Sequence, residues 1–200
     1  MRVLFLGYGE VGNLCLKSLV STGIEVTAVI PRSSDNGTNS STNSVFNFAR
    51  DTDIEILSHK SVRAKPFAAA LSNLDYIVSV QYDRILDENW LSIPKFDTLN
   101  LHFSFLPRLR GCYPTKWAII EEKSTGVTLH SVDTGIDTGD ILDQQEVEIA
   151  PDDTDETLYS KLSLSAVELF RKNIPNLINK SFPGRRKQAN GHSSYHPKKL

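Results

Sequence analysis

Two hundred residues, 40% hydrophobic and 23% charged, fit one globular domain or one domain with a short appendage. That balance excludes a collagen-like chain, a coiled coil and a wholly disordered one, and no apolar run approaches the roughly 20 residues a membrane helix needs. The net charge of −2 hides an asymmetry: eight of the 22 basic residues follow Glu168 and none of the acidic ones does, so the last stretch carries +8 and residues 1–168 carry −10. A basic end of this kind suits a phosphate-bearing ligand or, more simply, a solvated and partly disordered terminus. The start, MRVLFLGYGEVG, reads as a buried strand and turn, not a signal peptide, which makes the cytoplasm the expected compartment. Cys15 and Cys112 are the only cysteines, too few for a disulfide framework or a cysteine-rich metal site.

Apolar runs alternate with helical patterns along the chain. Val3–Leu6 predicts a strand running into the turn Gly7-Tyr8-Gly9, and Leu14, Leu16, Leu19 and Val20 then follow at helical spacing. Val26–Ile30 predicts a second strand, stopped by Pro31. Ser33–Ser44 is a polar loop, Val45–Ala49 a short helix, Ile54–Leu57 a strand and Val62–Leu71 a helix. Tyr76–Val80 and Thr98–Phe103 are the next strands, and Pro114–Glu122 a helix with proline in its first turn. Strands follow at Val127–Val132 and Ile141–Ile149, with Val147 and Ile149 on one half-buried face. The longest helix is predicted over Asp153–Ile174, starting at Asp153 with Glu156 three residues on. Leu158, Leu162, Ala166, Leu169 and Phe170 form its apolar stripe. This alternation predicts a three-layer α/β domain with a mostly parallel sheet, whose ligands bind beyond the carboxyl ends of the strands.

Gly7, Gly9 and Gly12 form GxGxxG between a strand and a helix, the context of a dinucleotide loop. The acidic residue that such a site places at the end of the second strand is missing: Ile30 is followed by Pro31-Arg32, and Asp35 lies in the polar loop. Arg32 there could meet a 2′-phosphate. The simpler reading is a tight turn that lets the first helix pack on the sheet, and an NAD(P)-dependent oxidoreductase is the lesser alternative.

Two segments carry more chemistry. In TLNLHFSFLPRLRG, Asn100 and His102 stand two apart on a strand and so share a face. A histidine can move a proton near neutral pH, and an Asn amide can donate to a developing oxyanion. In VDTGIDTGDI, which also follows a strand, Asp133, Asp137 and Asp140 crowd one loop that its two glycines bend sharply. A carboxylate held there can orient a histidine. The spacing lacks the calcium-loop pattern, and no metal is expected. His130 inside its strand reads as packing or as support to the site, and His59, His192 and His196 as solvent-facing.

The blocks NLHFSFLPRLRG and TGVTLHSVDTGIDTGDIL resemble the two signature blocks of the folate-dependent formyltransferases, a likeness that runs from Met1 to about Asn179. The resemblance implies a Rossmann-like domain over 1–180, with 181–200 a basic C-terminal tail, and N10-formyltetrahydrofolate as formyl donor. It implies catalytic roles for Asn100, His102 and Asp137. It places Arg84, Ile85 and Leu86 along the pterin and Val132, Asp133, Thr134 and Gly135 as the opposite wall. Where the family commonly has proline or alanine after the histidine, this chain has Phe103.

Within the family, RGCYPTKWAI and GVTLHSVDTGIDTGDI resemble the sugar N-formyltransferases most. That implies a nucleotide-linked amino sugar as acceptor, a dTDP-linked 3- or 4-amino deoxysugar made for surface polysaccharide. Tyr82, Arg110, Tyr113 and Trp117 are the expected sugar-nucleotide contacts: an arginine can pair with a diphosphate and aromatic rings can stack on a base or sugar. The alternative acceptor is glycinamide ribonucleotide, although GYGEVGNLCL lacks the Ser- and Asn-containing loop of those enzymes. A noncatalytic folate-binding module is a further alternative. The expected partners are the sugar nucleotide and folate, with no nucleic acid, no membrane and a homodimer as the assembly. SSYHPKK resembles the start of a longer family tail, so a shortened chain is expected.

Overall fold

Why Val3–Leu6 is apolar without interruption is clear from its surroundings. The first strand, β1 (Arg2–Gly7), runs parallel to β2 (Glu25–Pro31) on one side and to β3 (Tyr76–Val80) on the other, and Val3, Leu4, Phe5 and Leu6 are all fully buried. A central parallel strand covered on both faces needs apolar residues at every position. The computed structural model describes residues 1–37, 43–60, 71–121, 124–189 and 193–198. Two compact units divide the chain, Met1–Leu99 and Asn100–Leu200.

In the first unit the strand order is β2-β1-β3-β4, where β4 (Asp97–His102) crosses the boundary between units. Helix α1 (Gly9–Ser21) follows β1 directly. Gly9 has φ +66, and a Cβ on Gly12 would stand 3.2 Å from Val45 and 3.5 Å from the Gly7 backbone. The glycines therefore serve a tight turn and close helix packing, the simpler of the two readings. Arg32 at the end of β2 pairs with Asp83 at 2.8 Å and lies over the Tyr8 ring. Helix α2 (Val45–Asp51) is capped by Ser44, whose hydroxyl accepts from the Asn47 amide. Leu4, Leu6, Ile30, Leu57, Ile77, Leu86 and Trp90 form one buried cluster. Trp90 belongs to a short helix, α3 (Glu88–Leu91), that the sequence pattern did not predict because four residues carry no periodicity.

Two expectations need correction here, and a third lies beyond what the structure describes. Ile54–Leu57 is not a strand but a single bridge, Val29 to Ile56, with Val29 donating to Glu55 and accepting from Leu57. His59 does not face solvent alone: its ring stacks on Trp90 at 4.8 Å and its Nδ1 meets the Tyr82 hydroxyl at 3.0 Å. The predicted helix over 62–71 lies outside the described residues except at its last position.

In the second unit the order is β4-β6-β7, with β6 (Ser124–Ser131) antiparallel to β7 (Ile141–Glu148). The α/β class with a mostly parallel sheet is as expected. Between β4 and β6 lie the short β5 (Arg110–Gly111) and helix α4 (Pro114–Glu121). Helix α5 (Asp155–Ile178) packs on β6 and β7 through the predicted stripe, all of it buried. It continues past the expected end at Ile174 and through Pro175, because Leu177 is fully buried and anchors the last turn.

The start of α5 is also not as predicted. Thr154, not Asp153, is the cap: its hydroxyl accepts from the Thr157 amide, and the Thr157 hydroxyl accepts from the Thr154 amide. Thr154→Ala removes one half of this box and is expected to lower stability by about 1 kcal/mol, or a fall of about 2–4 °C in the melting temperature read by circular dichroism.

Candidate active site

Asn100 and His102 end β4 on the same face, as the spacing predicted, and both meet groups brought by β6 and the loop after it. His130 of β6 lies beside Asn100, the two joined at 3.1 Å between Asn100 Nδ2 and His130 Nε2. Asp137 sits between the two histidines, with Oδ2 3.6 Å from His102 Nδ1 and Oδ1 3.6 Å from His130 Nε2. Its Oδ2 also accepts a 2.8 Å hydrogen bond from the Gly111 amide. Every one of these residues belongs to the second unit.

The hydrogen bonds determine where the protons are. His130 Nδ1 lies 2.7 Å from the Ser131 carbonyl, and only an N–H satisfies a carbonyl. His130 Nε2 is then the bare nitrogen, and it accepts from the Asn100 amide. One Asn100 N–H is used in this way and the other has no partner among the described residues. His102 Nε2 lies 2.9 Å from the Leu109 carbonyl, so that nitrogen carries a proton too. His102 Nδ1 faces the Asp137 carboxylate at 3.6 Å. The site thus holds an amide donor with a spare hydrogen and a histidine whose second ring nitrogen stands beside a carboxylate.

Burial pushes the His130 imidazole down to about 4, and the opposing pull of Asp137 does not restore it. For Asp137 burial works against the charge, but His102, His130 and the Gly111 amide outweigh it and hold the carboxyl below its ordinary value. His130 is only 1% exposed, so its shift translates into stability. The unfolded chain binds a proton at His130 between pH 6.5 and about 4 while the folded one does not, so stability falls as pH drops through that window. The expected loss is about 3 kcal/mol by pH 4. Asp137 adds its own loss only below the ordinary carboxylate value of 3.8. Urea unfolding from pH 7 to 4 would read this, and most of the slope between 6.5 and 5 should be lost in His130→Gln.

The loop that carries Asp137 is shaped differently from the expectation. Neither Gly135 nor Gly139 has a positive φ; the left-handed residue is Asp137 itself, at φ 53. The glycines are needed for close approach. A Cβ on Gly139 would fall 2.0 Å from the Ser131 carbonyl oxygen, and one on Gly135 2.0 Å from the Thr138 hydroxyl. Asp133 closes the turn by accepting from the Gly135 amide and the Thr138 hydroxyl. Val132 is half-buried, and Asp133, Thr134 and Gly135 are exposed.

The remaining predicted residues fall into two groups. In the first unit Arg84 and Ile85 are exposed, Leu86 is in the core, and burial pushes the half-buried Tyr82 hydroxyl up to about 12. In the second unit, Arg110 is half-buried, and its Nε and Nη2 both donate to Gln188 Oε1, at 3.0 and 2.6 Å. Trp117 stacks on His196 with ring centroids 4.1 Å apart, so that face of the indole is taken. Tyr113 is exposed, at φ 56. Phe103 points into the core against Tyr159.

The described residues after 180 are mostly exposed, yet several are tied to the rest of the second unit. Arg185 pairs with Asp140 at 2.9 Å, Arg186 bridges to Ile141, and β8 (Tyr195–His196) pairs in parallel with β5. The Ser194 hydroxyl accepts from the Leu109 amide and its carbonyl from the Arg110 amide. Positive charges that looked unpartnered in the sequence meet the acidic loop and its flanking strand. Sequence reasoning missed Gln188 altogether, since a lone glutamine among basic residues gives no signal. Among the described residues, no group of three or more His, Cys, Asp or Glu side chains could hold a metal ion, and no helix is long and apolar enough to cross a membrane.

Comparison with known proteins identifies the family. The formyl transferase family model matches residues 1–174. The chain is 36% identical over 182 residues to the bifunctional polymyxin resistance protein ArnA of Wigglesworthia glossinidia brevipalpis, covering 89% of this chain and 28% of that one. It is 36% identical over 180 residues to the methionyl-tRNA formyltransferase of Acetivibrio thermocellus, covering 87% and 58%. The chain therefore spans less than two thirds of these curated relatives. Among solved structures, the sugar 3N-formyl transferase WlaRD, crystallised with dTDP and 5-N-formyl-THF, is 30% identical with a TM-score of 0.85 over 100% of this chain and 70% of that one. The N-formyltransferase of Helicobacter canadensis, in complex with folinic acid and dTDP-3-aminofucose, is 29% identical with a TM-score of 0.86 over 99% and 71%. With the Asn100, His102 and Asp137 cluster in place and the family model covering most of its length, this chain belongs to the formyl transferase family.

Proposed function

We propose that this protein transfers the formyl group of N10-formyltetrahydrofolate to the amine of a nucleotide-linked amino sugar, a dTDP-linked 3- or 4-amino deoxysugar destined for surface polysaccharide. The observation that carries this reading is the similarity of essentially the whole chain, including the segment after residue 180, to two sugar N-formyltransferase structures that hold a folate derivative with dTDP or a dTDP-amino sugar.

The site fits a formyl donor. Such a donor supplies an electrophilic carbon whose oxygen gains charge as an amine attacks. The spare Asn100 N–H is the donor available to that oxygen, and His130 keeps the Asn100 amide turned with nitrogen toward the site. His102 Nδ1 can take the proton the amine loses and return it to N10 as the formyl carbon–N10 bond breaks and tetrahydrofolate leaves, while the Asp137 carboxylate beside it stabilises the imidazolium formed in between. The Leu109 carbonyl keeps the other ring nitrogen protonated, so the lone pair cannot swap sides. Arg84–Leu86 and Val132–Gly135 are the proposed folate-contacting segments, and Tyr82, Tyr113 and Trp117 the proposed sugar-nucleotide contacts.

A second acceptor, methionyl-tRNA, is favoured by one observation: the curated relatives at 36% identity include an enzyme of that name. A mass-spectrometric assay decides between them. N10-formyltetrahydrofolate is supplied with dTDP-linked 3- and 4-amino sugars, methionyl-tRNA and glycinamide ribonucleotide. Formylation of a sugar nucleotide, absent in His102→Ala, is the expected result. Formylation of the tRNA or the ribonucleotide alone overturns the sugar assignment and keeps the chemistry.

A further inference from the structure

Gln188 stands out in its stretch. Residues 183–187 and 189 are exposed, and Gln188 alone among them turns inward. Its carboxamide then uses all of its hydrogen-bonding capacity on two places. Nε2 donates to the Asp137 carbonyl at 2.8 Å and to the Gly139 carbonyl at 2.7 Å. Oε1 accepts from Arg110 Nε and Nη2. An amide has two donor hydrogens and two acceptor lone pairs, and here all four are engaged.

The two places it joins are the two that hold the acid–base pair. Asp137 is a left-handed residue, and its backbone is clamped at its own carbonyl and at the carbonyl two residues on. Arg110 precedes Gly111, whose amide donates to Asp137 Oδ2, and follows Leu109, whose carbonyl accepts from His102 Nε2. The contacts close a ring: Gln188 to Arg110, Gly111 to the Asp137 carboxylate, the Asp137 carbonyl back to Gln188. Strained backbone persists only where its neighbours over-determine it, and this ring does so.

We propose that Gln188 is a positioning residue for formyl transfer, holding the Asp137 carboxylate and the Leu109–Gly111 segment that meets His102 in register through its four hydrogen bonds. The proposal rests on the reading of this site as a formyl-transfer centre. Neither neighbour of the same size can replace it. Methionine fills the space and makes no such bonds. Glutamate keeps the acceptors toward Arg110 but sets a carboxylate against two carbonyls.

The test compares wild type with Gln188→Met and Gln188→Glu. Steady-state rates against pH, with N10-formyltetrahydrofolate and the acceptor that the wild type uses, are expected to show kcat lower by about 10²-fold, the loss typical of a small misplacement. KM for the folate should stay as in wild type. The acid limb of the profile should move to higher pH, because Asp137 loses the fixed Gly111 amide. In parallel, the Asp137 carboxyl carbon is titrated by NMR in selectively labelled protein, with no substrate present. Its midpoint should rise in both variants. Unchanged kcat and an unchanged Asp137 midpoint, with only a lower melting temperature, overturn the proposal. Should wild type formylate none of the amines, the functional reading fails, and the NMR titration still decides whether Gln188 positions Asp137. Should Gln188→Met fail to fold, Gln188→Glu gives the same two readouts.

Discussion

Asp137→Asn and His102→Ala are each expected to lower formyl-transfer turnover by at least about 10²–10³-fold, the range seen when one group that stabilises developing charge is removed. Asparagine is the informative replacement at 137. It tolerates the left-handed conformation that Asp137 adopts, and its side-chain oxygen can still accept from the Gly111 amide. The backbone is therefore kept while the charge beside His102 Nδ1 is lost. Without that charge, the imidazolium formed during transfer has no partner at 3.6 Å. His102→Ala removes the proton carrier itself and leaves the Leu109 carbonyl without its donor. Circular dichroism should show both variants folded. Near-wild-type turnover in either would remove the His102–Asp137 pair from the mechanism. Asp137→Ala should show a similar loss of rate together with a lower melting temperature, because Gly111 loses its acceptor as well.

The second large effect concerns stability. Gly139→Ala is expected to destabilise the protein by about 1–3 kcal/mol, or a fall of several degrees in melting temperature. The added methyl would lie 2.0 Å from a backbone oxygen, that of Ser131, which cannot swing aside as a flexible side chain can. Ser131 is further tied by its amide to the Asp140 carbonyl at 2.9 Å. To admit the methyl, the loop must move away from the end of β6, and Asp137 moves with it. Turnover should fall along with stability. Gly135→Ala makes a useful contrast. Its closest contact is the Thr138 side chain, so a rotation of Thr138 that gives up its bond to Asp133 could relieve much of the overlap. A thermal melt in which Gly139→Ala matches wild type would show that the loop is not held by this close approach.

How much of this could be read from the chain follows from which interactions are local. Strand cores that rest on a largely apolar run, Val3–Leu6 and Tyr76–Val80 above all, were legible. So was the α5 stripe, because burial repeats at the helical period. Asn100 and His102 were legible because a strand's period of two places them on one face. Asp137 was legible through the resemblance of its block to a family's. The bridge at Ile56 and the Thr154 cap were misjudged by a few residues, since pairing partners and cap geometry decide such boundaries, not propensity.

The sequence by itself determined the α/β class and the family, and it singled out Asn100, His102 and Asp137, because each is written in short-range periodicity or in a compact block. Only the tertiary structure decided the proton map and what supports it. His130 sits 30 residues from Asn100, and Gln188 sits 78 from Arg110 and 51 from Asp137. Hydrogen bonds across such separations depend on where the sheet and the closing segment bring the backbone. The same is true of charge. Arg110 and Arg185 read as unpartnered cations along the chain, and become ties to Gln188 and Asp140 once the fold sets them face to face.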